Sequence, residues 1–345
     1  MKILFISSSF YPNIGGVEKH LLELSRVLIA EGHTVTVLTP KTEGLQSEET
    51  VEKIIVKRFQ KNKNKLSTWK NIWKYSEDIA QADIIHAHDY IPFYWIYPLA
   101  KMKRKKVWVT FHGWEGKVPP AWSTVCLRRI AEKFAAGSIA IGQFIQTWYH
   151  QHPNKILYGG VHCDPRYPLS KPPLPLKKFA FLGRLDKDTG FDVFADFFIE
   201  YALQHPQATL TVIGDGPLRT VVKQILQNAH VTFSFAGKIP DPVQTLQTTD
   251  AVCCSGYLSI LEIMALGIVP MALYSNALRR DYLHLTPFSQ TLVTASSSTE
   301  LLEKVKNLTT ELMTELLKIN FNLAKKNSWE YVADEYHSLW LGNNA

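Results

Sequence analysis

The sequence predicts an α/β protein built as two doubly wound parallel-sheet domains. Three observations carry this expectation. The chain has 345 residues, enough for two domains at roughly 100–200 residues each. Short apolar runs alternate with helix-length segments along almost its whole length. The alternation breaks once, at Pro168-Leu-Ser-Lys-Pro-Pro-Leu-Pro175, where four prolines in eight residues fit neither a helix nor a central strand. The expected division is therefore a first domain over 1–167, a linker over 168–176, a second domain over 177–320 and a terminal segment over 321–345.

Lys2–Ser7 reads as a buried strand, followed by a loop through Pro12, Gly15 and Gly16. Val17–Ala30 spaces Leu21, Leu22, Leu24, Val27 and Leu28 as a helical stripe, and Gly32 stands where a glycine ends a helix. Thr34–Thr39 alternates as a strand and completes a β-α-β unit, the signature of a parallel sheet with crossover helices. Further strands are expected at Lys53–Val56, Asp83–Ala87, Val107–Phe111, Ser138–Ile141 and Lys155–Leu157. After the linker they resume at Phe179–Leu182, Thr209–Ile213, Thr232–Phe235, Ala251–Cys253 and Val269–Leu273, each followed by a helix, and Thr299–Trp340 reads as nearly all helical. In such sheets ligands bind outside the carboxyl ends of the strands, so the informative residues are those that follow strands.

Composition narrows the function classes. Hydrophobic residues at 46% and charged residues at 20% are globular values. Cys126, Cys163, Cys253 and Cys254 have no C-x-x-C spacing, which argues against a disulfide framework or a zinc site on paired cysteines and fits a reducing compartment. The opening apolar run is too short for a secretory leader and no run is long enough to span a bilayer, so a cytoplasmic protein is expected. The net charge of +7 is uneven: Lys53–Lys74 holds eight basic residues and no acidic one. Trp69 and Trp73 are spaced i,i+4 in that segment, with Lys70 and Lys74 beside them and Tyr75 just beyond. Two readings stand: a solvated basic face with the Trp pair packed inside, or a surface for anionic membrane over Lys53–Tyr75, peripheral on the inner leaflet.

Five constellations follow strands. Gly15-Gly16 opens a helix, where bare backbone N–H groups attract an anion; a tight turn that needs glycine is the other reading. G-x-G-x-x-G is absent, so a nicotinamide dinucleotide is not favoured. His112 in Thr110-Phe-His-Gly113 can move protons or hold a phosphate, or it is structural; His86 and His88 read as core or cleft wall. Arg184 offers a planar, charge-assisted grip on a diphosphate with Lys187 assisting, or it pairs with Asp186 or Asp188 on the surface. Gly214-Asp-Gly216 is a turn ahead of a helix that starts at Pro217. Ser255-Gly256 opens a further helix through Tyr257 and Leu258, in which Glu262 is a carboxylate among apolar neighbours, placed to accept two hydroxyl hydrogen bonds such as a ribose offers.

Taken in order, Gly15-Gly16, Ile84-Ile-His-Ala-His88, Thr110-Phe-His-Gly113, Gly159-Gly-Val161, Gly183-Arg-Leu185, Gly214-Asp-Gly-Pro-Leu218 and Leu261-Glu-Ile-Met-Ala265 resemble the glycosyltransferases of family 4 over nearly the whole chain. That resemblance implies the GT-B fold: two Rossmann-like domains facing across a cleft, with the terminal helix over 321–345, near Ser328-Trp329, crossing back to the first. It implies a retaining, metal-independent transfer of a hexose from a nucleotide-sugar, UDP-sugar first and GDP-mannose next, to a glycan or lipid-linked acceptor. No cofactor beyond that co-substrate and no nucleic-acid partner is implied. Gly16, beside Gly15, would lie under the donor phosphate and His112 would meet the donor sugar or its phosphate. Arg184, with Lys187, would neutralise the diphosphate. The loop at Gly214 and the backbone amides from Ser255, Gly256, Tyr257 and Leu258 would border it, and Glu262 would hold the ribose. Two positions depart from the family pattern: Cys254 replaces a glutamate that contacts the sugar, and Thr189 replaces a lysine. The departures keep a second class open, a nucleotide-sugar binding protein of altered or lost activity. A GT-B epimerase would need acid/base carboxylates that have no evident position here, and a nucleic-acid binder would not account for the ordered motifs.

Overall fold

The computed structural model describes the chain except residues 14, 63–64, 114, 164–173, 240 and 343–345. Most of the expected linker over 168–176 lies outside the described residues. Backbone contacts divide the chain into two units, Met1–Gly159 with Trp329–Ala345, and Gly160–Ser328.

In the first unit the strands are β1 (Lys2–Ser7), β2 (Thr34–Pro40), β3 (Glu48–Val51), β4 (Ile54–Phe59), β5 (Ile84–His88), β6 (Trp108–Phe111), β7 (Ser138–Ile141) and β8 (Lys155–Leu157). They form one sheet in the order β3-β4-β2-β1-β5-β6-β7-β8, parallel except for the β3–β4 pair. Its helices are α1 (Gly16–Ala30), α2 (Lys65–Trp73), α3 (Ser76–Gln81), α4 (Tyr90–Met102), α5 (Trp122–Phe134) and α6 (Phe144–Tyr149). β1, from Ile3 onward, and β5 are buried on both faces, as expected for central strands covered by crossover helices.

In the second unit β9 (Lys178–Leu182), β10 (Thr209–Ile213), β11 (Thr232–Gly237), β12 (Ala251–Cys254), β13 (Val269–Leu273) and β14 (Val293–Ala295) pair in parallel in the order β11-β10-β9-β12-β13-β14. Its helices are α7 (Phe191–Gln204), α8 (Arg219–Asn228), α9 (Val243–Leu246), α10 (Tyr257–Ala265), α11 (Ala277–His284), α12 (Ser298–Lys306) and α13 (Thr310–Lys326). The strand order is the dinucleotide-fold order 3-2-1-4-5-6. Phe179 and Phe181 of β9 meet Phe191, Phe194, Phe197 and Phe198 of α7 in its core. The last helix, α14 (Trp329–Leu341), returns to the first unit and packs on α1.

The differences from the sequence reading have local causes. β3 is a four-residue edge strand, Glu48-Glu-Thr-Val51, whose alternating exposure gives no apolar run. β14 has only three residues. The segment read as one helical tail breaks twice: Thr309 caps α13 by accepting from the Leu312 amide, and Trp329 starts α14 after Ser328. Among the described residues no helix is long and apolar enough to cross a membrane.

Candidate functional site

Where strand order reverses, adjacent loops part in opposite directions and leave a crevice at the carboxyl ends. In the second unit that point lies between β9 and β12. Arg184 follows β9 with its side chain 60% exposed. Its Nη2 pairs with the Asp188 carboxylate, and its Nε lies 3.7 Å from Asp186 Oδ2. The surface pairing is thus present. Exposed pairs of this kind are worth about 0–1 kcal/mol, too little to withhold the guanidinium from a diphosphate. Lys187, on the same turn, is exposed.

Thr189 serves the loop that bears Arg184. It is buried, and its hydroxyl lies 2.7 Å from the carbonyl oxygens of both Arg184 and Asp186. Asp186 caps the same turn by accepting from the Lys187 amide at 2.7 Å. The loop after β10 braces Arg184 from behind. The Leu185 amide donates to Asp215 O at 3.0 Å and the Leu218 amide to Leu185 O at 3.1 Å. Gly214 has φ +141°, and a Cβ there would fall 1.8 Å from Gly183 O, so this glycine permits a backbone-to-backbone approach. Its visible role is to back the Arg184 loop.

After β12 the chain passes Ser255 and Gly256 into α10. The Tyr257 amide is not free for a ligand. It donates to Tyr282 Oη at 3.0 Å, while the Tyr257 hydroxyl donates to Tyr282 O at 2.6 Å and the two rings stack with centroids 3.9 Å apart. The Tyr257 amide therefore drops out of the border of amides expected from Ser255 to Leu258. The stack instead fixes the start of α10, whose first internal bond runs from the Ile260 amide to Gly256 O. Cys254 is fully buried, and burial raises its thiol well above the ordinary range, helped by the nearby charges of Cys253 and Glu262. A neutral buried thiol does not supply a carboxylate contact. Glu262 is half-buried on α10.

Arg279 on α11 was missed from sequence. It is 4% exposed, its Nη1 donates to Ser255 O at 3.3 Å, and its guanidinium lies 5.3 Å from the Tyr282 ring centre. Burial lowers its pKa, and its bond to Ser255 O sets it beside the loop between β12 and α10. The available signal was Asn276, a helix cap directly ahead of Arg279.

In the first unit the reversal lies between β1 and β5. Gly15 caps α1 in extended conformation. A Cβ on Gly16 would meet nothing within 4 Å. Neither packing nor a left-handed backbone requires glycine at 16, so what its bare amide offers is close approach from outside. A polar cavity of about 40 Å³, lined by Ser8, Ser9, Asn13, Thr39 and Arg58 among others, lies beside the loop after β1.

The first unit also holds a histidine cluster. His20, His86, His88 and His112 are all buried. His88 Nδ1 is 3.0 Å from His112 Nε2 and the rings stack. Trp340 Nε1, a donor only, gives its proton to His86 Nδ1 at 3.0 Å. Neutral His86 therefore carries its proton on Nε2 and donates to Thr110 Oγ1 at 2.8 Å. Thr110 Oγ1 lies 2.8 Å from Tyr336 Oη, which lies 3.0 Å from His20 Nε2. Burial lowers His20 to about 4 and His86 to about 3. It also holds His88 and His112 well below the ordinary range, each further opposed by its histidine neighbours. His112 thus stands as a neutral imidazole, and His86 and His88 are core.

Arg128 of α5 fixes the His112 loop. Its Nη2 donates to His112 O and Gly113 O, each at 3.1 Å, and to Glu115 Oε1 at 2.8 Å, while the Tyr149 hydroxyl donates to Glu115 Oε2 at 2.6 Å. Asp89, at the end of β5, takes φ +86° and caps α4. A non-glycine residue in that region marks stored strain of the kind found at functional positions. Neither Arg128 nor Asp89 stood out in the sequence.

The basic segment resolves into β4, α2 and the turn after it. Trp69 Nε1 donates to Tyr94 O at 3.2 Å, whereas Trp73 is 48% exposed. The two Trp side chains do not share one environment.

Residues 14–164 match the model of Glycosyltransferase Family 4, and residues 176–311 that of Glycosyl transferases group 1. Over 37 residues the chain is 51% identical to a subunit of the human phosphatidylinositol N-acetylglucosaminyltransferase, and over 39 residues 46% identical to the Arabidopsis thaliana protein of the same name. These stretches are 11% of this chain and span only 8% and 9% of those relatives. Among solved structures, Anabaena HepE in complex with UDP superposes with a TM-score of 0.76 at 17% identity, covering 98% of this chain and 99% of that one. A Rickettsia africae glycosyltransferase gives 0.76 at 18%, covering 98% and 97%. The lipopolysaccharide outer core galactosyltransferase WaaB gives 0.70 at 15%, covering 99% and 100%. These likenesses establish the GT-B fold.

Proposed function

The chain belongs to the group 1, family 4 glycosyltransferases, and from that premise we propose that it moves a hexose from a nucleotide-sugar to a glycan or lipid-linked acceptor with retention and without a metal ion. The observation that carries the reading is the β9/β12 switch point, where exposed Arg184 stands on a braced loop beside the start of α10. A UDP-sugar is the first donor, since HepE was solved with UDP and with UDP-glucose; GDP-mannose is the next. In the reaction the bond from the anomeric carbon to the diphosphate breaks and one to the acceptor oxygen forms. The acceptor proton passes to the leaving phosphate on the same face. Arg184, with Lys187 near it, and the Leu258 amide in the first turn of α10 stabilise the charge that develops on the diphosphate. Glu262 holds the ribose. The first unit offers the Gly16 amide and neutral His112 at the carboxyl ends of its own strands.

The test is a thermal-shift panel of UDP-, GDP-, ADP- and TDP-sugars followed by turnover with and without EDTA. A donor at 100 times its Kd stabilises by about 2.7 kcal/mol. Stabilisation by one donor, with turnover indifferent to EDTA, is the expected result. If no donor shifts the protein, the donor-site assignment fails. Binding without transfer or hydrolysis selects the second reading, a nucleotide-sugar binding protein, which the buried neutral thiol of Cys254 favours.

The lipid-linked acceptor goes with a membrane-facing surface. Lys53–Tyr75 supplies exposed Trp73 and Leu66 among lysines. α5 adds exposed Leu127, Ile130 and Phe134 beside exposed Arg129 and Lys133. Basic and apolar side chains together favour an anionic bilayer. Co-sedimentation with vesicles containing phosphatidylserine is expected to fall on Trp73→Ser with Phe134→Ser and to vanish at high salt. Equal sedimentation with neutral vesicles, or none at all, removes the membrane from the reading.

A further inference from the structure

The corner between α1 and β2 carries a constellation separate from the carboxyl-end loops. α1 ends in a glycine-capped turn. Gly32 takes φ +85°, its amide bonds Ile29 O at 3.0 Å, and the His33 amide bonds Leu28 O at 3.0 Å. The turn sets Glu31 and His33 close together, and α14 brings His337 against them from the other end of the chain. His33 Nε2 lies 3.9 Å, and His337 Nε2 3.6 Å, from Glu31 Oε2. The two rings stand edge to face with centroids 5.1 Å apart, and one ligand atom from each residue falls within 4.8 Å of the other two. Among the described residues His337 Nε2 is shut off from solvent and has no hydrogen-bond partner. A buried, unsatisfied ring nitrogen calls for an explanation.

We propose that Glu31, His33 and His337 bind a divalent transition-metal ion of the zinc class and thereby clamp α14 to the α1–β2 corner. Imidazole nitrogen and carboxylate oxygen bind Zn²⁺ at about 2.0–2.2 Å, which sets tetrahedral ligand atoms about 3.3 Å apart. The observed separations close to that value by small rotations of side chains that are 17%, 21% and 33% exposed. The carbonyl end of α1 carries the negative end of the helix dipole and favours a cation there. Two imidazoles select against Mg²⁺ and Ca²⁺, which prefer all-oxygen sites. Three protein ligands leave a fourth position for water.

The Met1 amine stands 3.1 Å from His33 Nδ1, so a metal ion would take His33 through Nε2. The clamp also reaches the histidine cluster. Tyr336, which precedes His337 on α14, links Thr110 to His20.

Calorimetric titration of the chelator-treated full chain with ZnCl₂ tests it, with MgCl₂ as control. Wild type is expected to take one ion per chain and melt at a higher temperature. His337→Ala and His33→Ala are expected to bind roughly 10–100-fold more weakly or worse. Glu31→Gln removes the charge at constant shape and covers the case in which a histidine variant fails to fold. Equal binding by wild type and the variants, or no uptake by wild type at micromolar Zn²⁺, overturns the proposal.

Discussion

Arg184→Ala is expected to lower kcat/KM by about 10²–10³-fold, the cost of removing one preorganised donor from a developing anion, with little change in melting temperature. The side chain is 60% exposed and its partners Asp186 and Asp188 are themselves partly exposed, so its ion pairs contribute little to stability. If instead Arg184 is only a surface partner of those carboxylates, the rate stays near wild type. Arg184→Lys separates charge from geometry. It keeps the charge but loses the planar fork, so an intermediate rate points to bidentate phosphate contact and full recovery to charge alone. Thr189 makes this variant informative. Its hydroxyl is bound to the Arg184 and Asp186 carbonyl oxygens, so the loop backbone holds its course when the guanidinium is removed.

The parts legible in the sequence were those with local causes. Each central strand is buried on both faces and appears as a short apolar run, and each carboxyl-end loop carries its own glycine or polar cluster. Arg184 and His112 stand out as candidates because both lie within two residues of a strand end. What was not legible depends on pairing across the fold. Arg279 matters through Ser255 O, 24 residues away, and through Tyr282, whose hydroxyl accepts the Tyr257 amide. Arg128 matters through carbonyls of a loop on another element. The longest-range case is His20, whose Nε2 meets Tyr336 Oη across 316 residues of chain. From sequence it is a lone polar residue next to an apolar stripe, and only the return of α14 makes it a member of a network.

That network is expected to set the pH response of the first unit. In the folded state burial lowers His20 to about 4 and His86 to about 3, and holds His88 and His112 well below 6.5. In the unfolded chain all four titrate near 6.5. A group whose folded pKa is depressed gives stability that is fully present above its unfolded pKa. That stability is lost as pH falls toward the folded value. The unfolded chain takes up protons that the folded one refuses, so below pH 6.5 stability falls by up to about 1.4 kcal/mol per pH unit for each such histidine. Four of them acting together are comparable, over little more than one pH unit, with the 5–15 kcal/mol that holds a typical domain. The first unit is therefore expected to unfold cooperatively between pH 6.5 and 4, before the carboxylates titrate. Urea midpoints measured from pH 7.5 to 5 are expected to drop steeply below 6.5. His20→Asn, which removes one titrating ring, is expected to flatten the slope even if it lowers stability at pH 7.5. A midpoint that stays level from pH 7 to 5 means that the cluster is hydrated or already charged, and a neutral His112 would fall with it.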